Sequence, residues 1–122
     1  MGMTLRNVLR SRNQAVHERH RDELRAFCAA QPGATPIAAL TPRVEATMVG
    51  EITSVRLVPK VGRSPWLEVT VSDGEGRMVL MWTGRKSIPG IRPGRRVKAS
   101  GRPAATGPGG RLVLMNPVYE LL

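Results

Sequence analysis

The sequence predicts a mainly β protein: a five-stranded Greek-key barrel behind an N-terminal α-helix and a proline-rich linker. Three observations carry this expectation. Residues 4–29 contain neither Gly nor Pro and repeat apolar side chains at roughly 3.6-residue spacing. From Arg43 onward the apolar period changes to two. Gly, Pro and Asp clusters then cut the rest of the chain into five alternating segments. The expected division is a basic helix over 1–30, a linker over 31–42 and a barrel over 43–122.

Thr4 is the expected N-cap of the helix, whose stripe is Leu5, Leu9, Val16, Leu24 and Phe27. Arg12, Asn13 and His20 interrupt that stripe, so the helix needs a partner surface, either the barrel or another protein. The segment QPGATPIAALTP carries Pro32, Gly33, Pro36 and Pro42 and reads as a semi-extended tether without a core of its own. In the first strand Val44, Ala46, Met48 and Ile52 alternate with Glu45, Thr47 and Glu51; the apolar parity then shifts to Val55 and Leu57. Such a shift implies a bulge near Thr53–Ser54, with Gly50 easing a bend that lets one long strand serve both halves of a closed barrel. Leu67, Val69 and Val71 mark the second strand, Ser72–Gly76 a hairpin turn, and Met78 to Trp82 the third strand. Gly84–Gly94 is irregular, with room for one short helical turn. Val97 and Ala99 lie in the fourth strand; Leu112 and Leu114 lie in the fifth, after a turn at 107–110. This size and rhythm match a barrel of OB type, whereas an SH3-like barrel uses more and shorter strands.

Charge is the strongest functional signal. The chain has 19 Lys+Arg against 9 Asp+Glu, a net charge of +10 and a pI near 11.5. Such a domain is suited to a polyanion. Only Lys60, Lys86 and Lys98 are lysines, and arginine both forks to phosphate and stacks on bases. No run of about 18 apolar residues and no apolar leader is present, so the cytoplasm is the expected location. A single cysteine, Cys28, forms no internal disulfide and no zinc site. No phosphate loop of the G-x-x-x-x-G-K-[ST] type occurs, His17-Glu18-Arg19-His20 lacks a third ligand, and no carboxylate pair or Ser–His arrangement stands out. The expectation is a binding protein rather than an enzyme, with no cofactor and no metal.

Alternation places Trp66, Glu68, Thr70 and Ser72 of the second strand outward, with Arg77, Val79 and Met81 of the third. Single-strand binders combine such stacking platforms with a basic groove. Arg85, Lys86, Arg92, Arg95, Arg96, Lys98 and Arg102 follow without an intervening acid, and Arg96, Lys98 and Arg102 share one side. They are the expected phosphate track. Trp82 has inward parity and reads as core, and Tyr119 reads as packing with its hydroxyl at the surface. Only 3% of residues are aromatic, which favours phosphate-led binding of low sequence specificity.

The stretches SDGEGRMVLMW, RPGRRVKASGRP and GGRLVLMNPVYELL resemble the OB-fold wedge domain of RecG-type DNA helicases. The shared features are a strand ending in a bulky aromatic (Trp82), a P-G-x-x-V-x-x-x-G element at Pro93, Gly94, Val97 and Gly101, and N-P-x-Y-E at Asn116, Pro117, Tyr119 and Glu120. The resemblance covers roughly 43–122 and implies a free-standing nucleic-acid binder of actinobacterial type. It also implies contact of Trp82 with branched or single-stranded DNA. No helicase motor is present, so no ATP-driven activity carries over. The sequence therefore predicts a protein that holds single-stranded or branched DNA, or RNA, on Trp66, Arg77, Met81, Trp82 and the basic track. The second reading is an interaction module that docks on a helicase, polymerase or ribosome through the barrel or residues 1–30.

Overall fold

The computed structural model describes residues 4–106 and 110–122. In chain order these form α1 (Leu5–Ala29), a 3₁₀ turn (Ile37–Ala39), β1 (Ala46–Lys60), β2 (Arg63–Ser72), β3 (Arg77–Trp82), β4 (Arg96–Gly101), β5 (Ala104–Thr106), β6 (Arg111–Met115) and β7 (Val118–Leu121).

The strand order is β5-β6-β3-β2-β1-β4-β7, with β3 and β6 parallel and the other pairs antiparallel. Seven segments replace the five strands expected, and the reason is two prolines. Pro103 separates β4 from β5 and Pro117 separates β6 from β7, each interrupting one continuous bent strand. The two parts form one bent hairpin, since Ser100 pairs with Val118 and Ala104 with Val113. The two ends of the strand order are thus the same hairpin, and the sheet closes on itself as a barrel.

β1 makes the closure possible. Its Ala46–Glu51 half pairs with β4 and its Glu51–Lys60 half with β2. Gly50 sits at the crossover, where a Cβ would lie 3.0 Å from the Ser72 carbonyl oxygen. The register slips between Ile52 and Ser54, the bulge expected from the parity shift, and again between Val58 and Lys60 around Pro59. Inside lie Met48, Ile52, Leu67, Val69, Val71, Met78, Leu80, Trp82, Val97, Ala99 and Leu114.

The segment expected to be a coreless linker instead closes the barrel. Ile37 and Leu40 are buried in the main core, because the 3₁₀ turn points both side chains of a short apolar run one way. The irregular segment after β3 holds turns at Ile88–Ile91 and Arg92–Arg95 rather than a helix, and Ile88 and Ile91 enter the same core. Part of the glycine-rich turn expected at 107–110 lies outside the described residues.

Helix α1 begins as expected: Thr4 Oγ1 accepts a hydrogen bond from Asn7 N at 3.3 Å. Only its last three turns meet the barrel, with Leu24 and Cys28 buried against Val49. Arg96 lies over the Phe27 ring at 4.3 Å, and His20 meets Glu51 at 2.6 Å. The helix backbone also rests on the β2–β3 turn: a Cβ on Gly74, whose φ is +91°, would lie 2.7 Å from Arg21 O. Gly74→Ala is therefore expected to cost about 1–3 kcal/mol in backbone strain alone. The urea midpoint should fall, and protection of the amides near Leu24 should fall with it.

Candidate nucleic-acid interface

The outer face of β2, β3 and β6 is built by alternation. While Leu67, Val69 and Val71 point inward, Trp66, Glu68, Thr70 and Ser72 point outward. Register aligns Glu68 with Met81 and Met115, and Thr70 with Val79 and Val113. Val79, Met81 and Val113 form a small apolar patch, and half-buried Trp66 packs against it. Beside the patch sits Glu68, whose side chain is only 7% exposed. A carboxylate so buried needs charged partners. Arg56 Nη2 lies 3.2 Å from it and Arg111 Nη2 3.6 Å from it, and both arginine side chains are largely exposed. Two guanidinium groups face one carboxylate, so this part of the face keeps an excess positive charge.

At the Trp66 end, the β1–β2 hairpin adds two more cations. Lys60 Nζ is 4.1 Å from the Trp66 ring centroid and Arg63 Cζ is 5.9 Å away, both within cation–π range. Gly62, at φ +72°, makes the tight turn that brings them together. Exposed Arg77 stands at the opposite end of the face, where β3 begins. The result is an apolar and aromatic platform ringed by Arg56, Lys60, Arg63, Arg77 and Arg111. Four of these five are absent from the set expected from sequence. The pairings Val58 with Trp66, Arg56 with Glu68 and Lys60 with Arg63 gather them here, and a hairpin register is what the sequence alone does not reveal.

The expected basic track does not form one groove. Leu67 pairs with Trp82, so the chain leaves β3 beside Trp66, and exposed Arg85 and Lys86 follow at that end. Arg92 and Arg95 lie on another side, where the Arg95 carbonyl accepts from Ile52 N and the Arg95 Nε donates to the Leu122 carbonyl at 3.1 Å. Arg96 stacks on Phe27 and reaches Glu51 at 3.8 Å, holding α1 to the barrel. Lys98 pairs across from Glu120, and Arg102 is exposed beyond the end of β4. Arg96 and Lys98 stand on the same side of β4, but Arg96 is engaged by Phe27 of α1 and Glu51 of β1.

Trp82 has the place its parity gave it rather than the one the resemblance implied. It is 4% exposed and meets Tyr119 edge-to-face at 5.5 Å. Met81 belongs to the outer patch, itself 9% exposed beneath Trp66. Asn116, at φ +46°, donates its backbone N–H to Met81 O at 2.6 Å, and its Oδ1 accepts from Thr83 N at 3.0 Å. The N-P element is thus a structural kink that ties β6 to the end of β3.

Beneath α1 is a cavity of about 340 Å³ lined by Arg25, Cys28, Ala34, Pro36, Val49 and Asp73. Burial, aided by the Asp73 carboxylate, pushes the Cys28 thiol up to about 11, while Arg96 pulls the other way. The folded state therefore favours the protonated thiol. This stabilisation is fully present below the ordinary thiol pKa and is lost as pH rises through about 11. Iodoacetamide at pH 8 is expected to alkylate Cys28 far more slowly in the folded protein than in urea, as mass spectrometry would register. Among the described residues no cluster of three or more metal-ligating side chains occurs, and no helix is long and apolar enough to cross a membrane.

A family model for the tRNA anti-codon group, described as an OB-fold nucleic acid binding domain, matches residues 46–122. The chain belongs to this family. Its matched segment begins with β1 and ends with the last residue, so α1 and the 3₁₀ turn lie outside it. No curated protein matches the sequence of this OB-fold protein. Among solved structures, the structure of RecG bound to a three-way DNA junction matches with a TM-score of 0.61 and 21% identity. That match covers 73% of this chain and 12% of the RecG chain. The likeness is one of fold, and the chain spans a small part of that protein's length.

Proposed function

We propose that this OB-fold protein holds single-stranded or branched nucleic acid across the outer face of β2, β3 and β6. The observation that carries the reading is the ring of cations around Trp66. Bases stack on an aromatic platform while arginines and lysines follow the phosphates, and OB folds use the strand 2–3 face and the loop between the first two strands for this purpose. Here that loop supplies Lys60 and Arg63. Of the residues expected from sequence, Trp66, Arg77, Met81, Arg85 and Lys86 belong to this surface. Arg92, Arg95, Arg96, Lys98 and Arg102 lie outside it and serve as long-range attraction for the polyanion, and Trp82 supports the platform from inside. The RecG structure, similar in fold and bound to a three-way DNA junction, is in keeping with branched DNA as the ligand.

The test is anisotropy of labelled single-stranded, forked and duplex oligonucleotides at several salt concentrations. If about four phosphates are neutralised on a single strand, log Kd against log salt should have a slope of about 3. Tighter binding of single strands or forks than of plain duplex supports the reading. Salt-independent binding, or none at low salt, removes it and leaves the fold as a protein-docking module.

A further inference from the structure

The geometry points to a second phosphate-binding surface on α1, one that takes the duplex arm of a fork whose single strand lies on the β2–β3–β6 face. This inference rests on the function proposed above and extends it to a part of the chain outside the matched family segment.

Apart from half-buried Val8, helix α1 is exposed from Leu5 to Glu23, far beyond the turns that pack on the barrel. Along it Arg6, Arg10, His17, Arg21 and Arg25 recur at steps of 4, 7, 4 and 4. At about 100° per residue they share one arc about 100° wide, and Glu18, Asp22 and Glu23 fall outside that arc. Among the described residues none of the four arginines has a carboxylate within 4.0 Å. Like charges stacked on one helical face repel by a few tenths of a kcal/mol per pair, a standing cost that a polyanion would reverse.

The stripe is also continuous with the barrel face. Arg21 O and Arg25 N are the atoms nearest to a Cβ on Gly74, at 2.7 and 3.0 Å, so that end of the stripe sits on the β2–β3 turn. Three residues beyond Gly74, Arg77 opens β3 on the binding face. A phosphate backbone leaving the face past Arg77 therefore meets Arg21 and Arg25 next. From Arg25 to Arg6 the helix rises about 28 Å, roughly the length of eight base pairs. A rigid rod of that length suits a duplex arm, whose phosphates are held at fixed positions along its grooves.

The experiment compares the unaltered protein with R6Q/R10Q/R21Q, which alters only exposed side chains and keeps good helix formers. Two probes are used: an eight-nucleotide single strand, sized to the barrel face, and a fork with a ten-base-pair arm. The expected result is a fork Kd raised about tenfold or more and a fork salt slope reduced by about 2.7, with the short-strand Kd within about twofold of wild type. Unchanged fork binding overturns the inference. K60E/R63E serves as the separate control: loss of short-strand binding in that variant supports the barrel site, whereas its retention removes the barrel reading whatever α1 does. Leu5, Leu9 and Val16 are exposed along the same helix, so phosphatidylserine vesicles are titrated in parallel. Vesicle binding lost in the triple variant, with fork binding unchanged, would assign the stripe to a membrane surface instead.

Discussion

Reversing the charge of Lys60 and Arg63 together is expected to weaken single-strand binding roughly 100-fold, or about 2.7 kcal/mol. Both side chains lie over Trp66. The double variant K60E/R63E removes two cations from the place where a stacked base would carry its phosphates and sets two anions there instead. Neither side chain fills the core, so the melting temperature should stay within a few degrees of wild type. Trp66→Ala acts on the same site differently. Loss of one stacking platform is worth about 1–3 kcal/mol per base, and the salt slope should be unchanged because no charge is lost. Some loss of stability accompanies it, since Trp66 covers Val79, Met81 and Val113. Arg96→Glu provides the contrast. It breaks the stack on Phe27 and the pairing with Glu51, so its main effect should be on helix docking.

Asp73→Ala is expected to give the largest loss of stability among polar substitutions, about 3 kcal/mol. Asp73 Oδ1 accepts from Glu75 N at 3.0 Å and Gly76 N at 2.8 Å, which fixes the β2–β3 turn. Its Oδ2 accepts from Ile37 N at 2.8 Å, a buried bond that holds the 3₁₀ turn against the barrel. Alanine leaves three backbone donors without this acceptor, and releases Ile37 and Leu40 from the core that they close. Asn keeps one acceptor oxygen for the turn and should cost about half as much. Urea denaturation measures the loss, and exchange of the Ile37 amide tells whether the segment has detached.

Most of the barrel was legible because its signals are local. Period-two alternation gave the strands and their inward sets, and the parity shift after Ile52 gave the bulge at Thr53. Trp82 was legible for the same reason: its spacing from Met78 and Leu80 points it inward, whatever its place in a family motif. Strand number came out differently because Pro103 and Pro117 break ladders without ending strands. Two features depend on contacts far apart in sequence and were hidden. Ile37 and Leu40 sit among prolines that read as a tether, and contacts distant in sequence, the Asp73 bond from 36 residues away among them, draw them in. The cations around Trp66 were hidden likewise. A run of basic residues after β3 is conspicuous in sequence, yet β1, β2 and β6 bring Arg56, Lys60, Arg63 and Arg111 together from three separate places.

The most direct test follows the two indole N–H signals of the ¹⁵N-labelled protein during titration with a short oligothymidine. Trp66 lies on the proposed face and Trp82 in the core, so one molecule carries both probe and control. Binding on the outer face is expected to shift the Trp66 indole saturably, together with backbone amides of Lys60, Arg63, Arg77 and Arg111, while the Trp82 indole moves little. Saturable shifts at Trp82 and along Arg96–Arg102, with Trp66 unmoved, would contradict it and place the nucleic acid on the β4 side of the barrel.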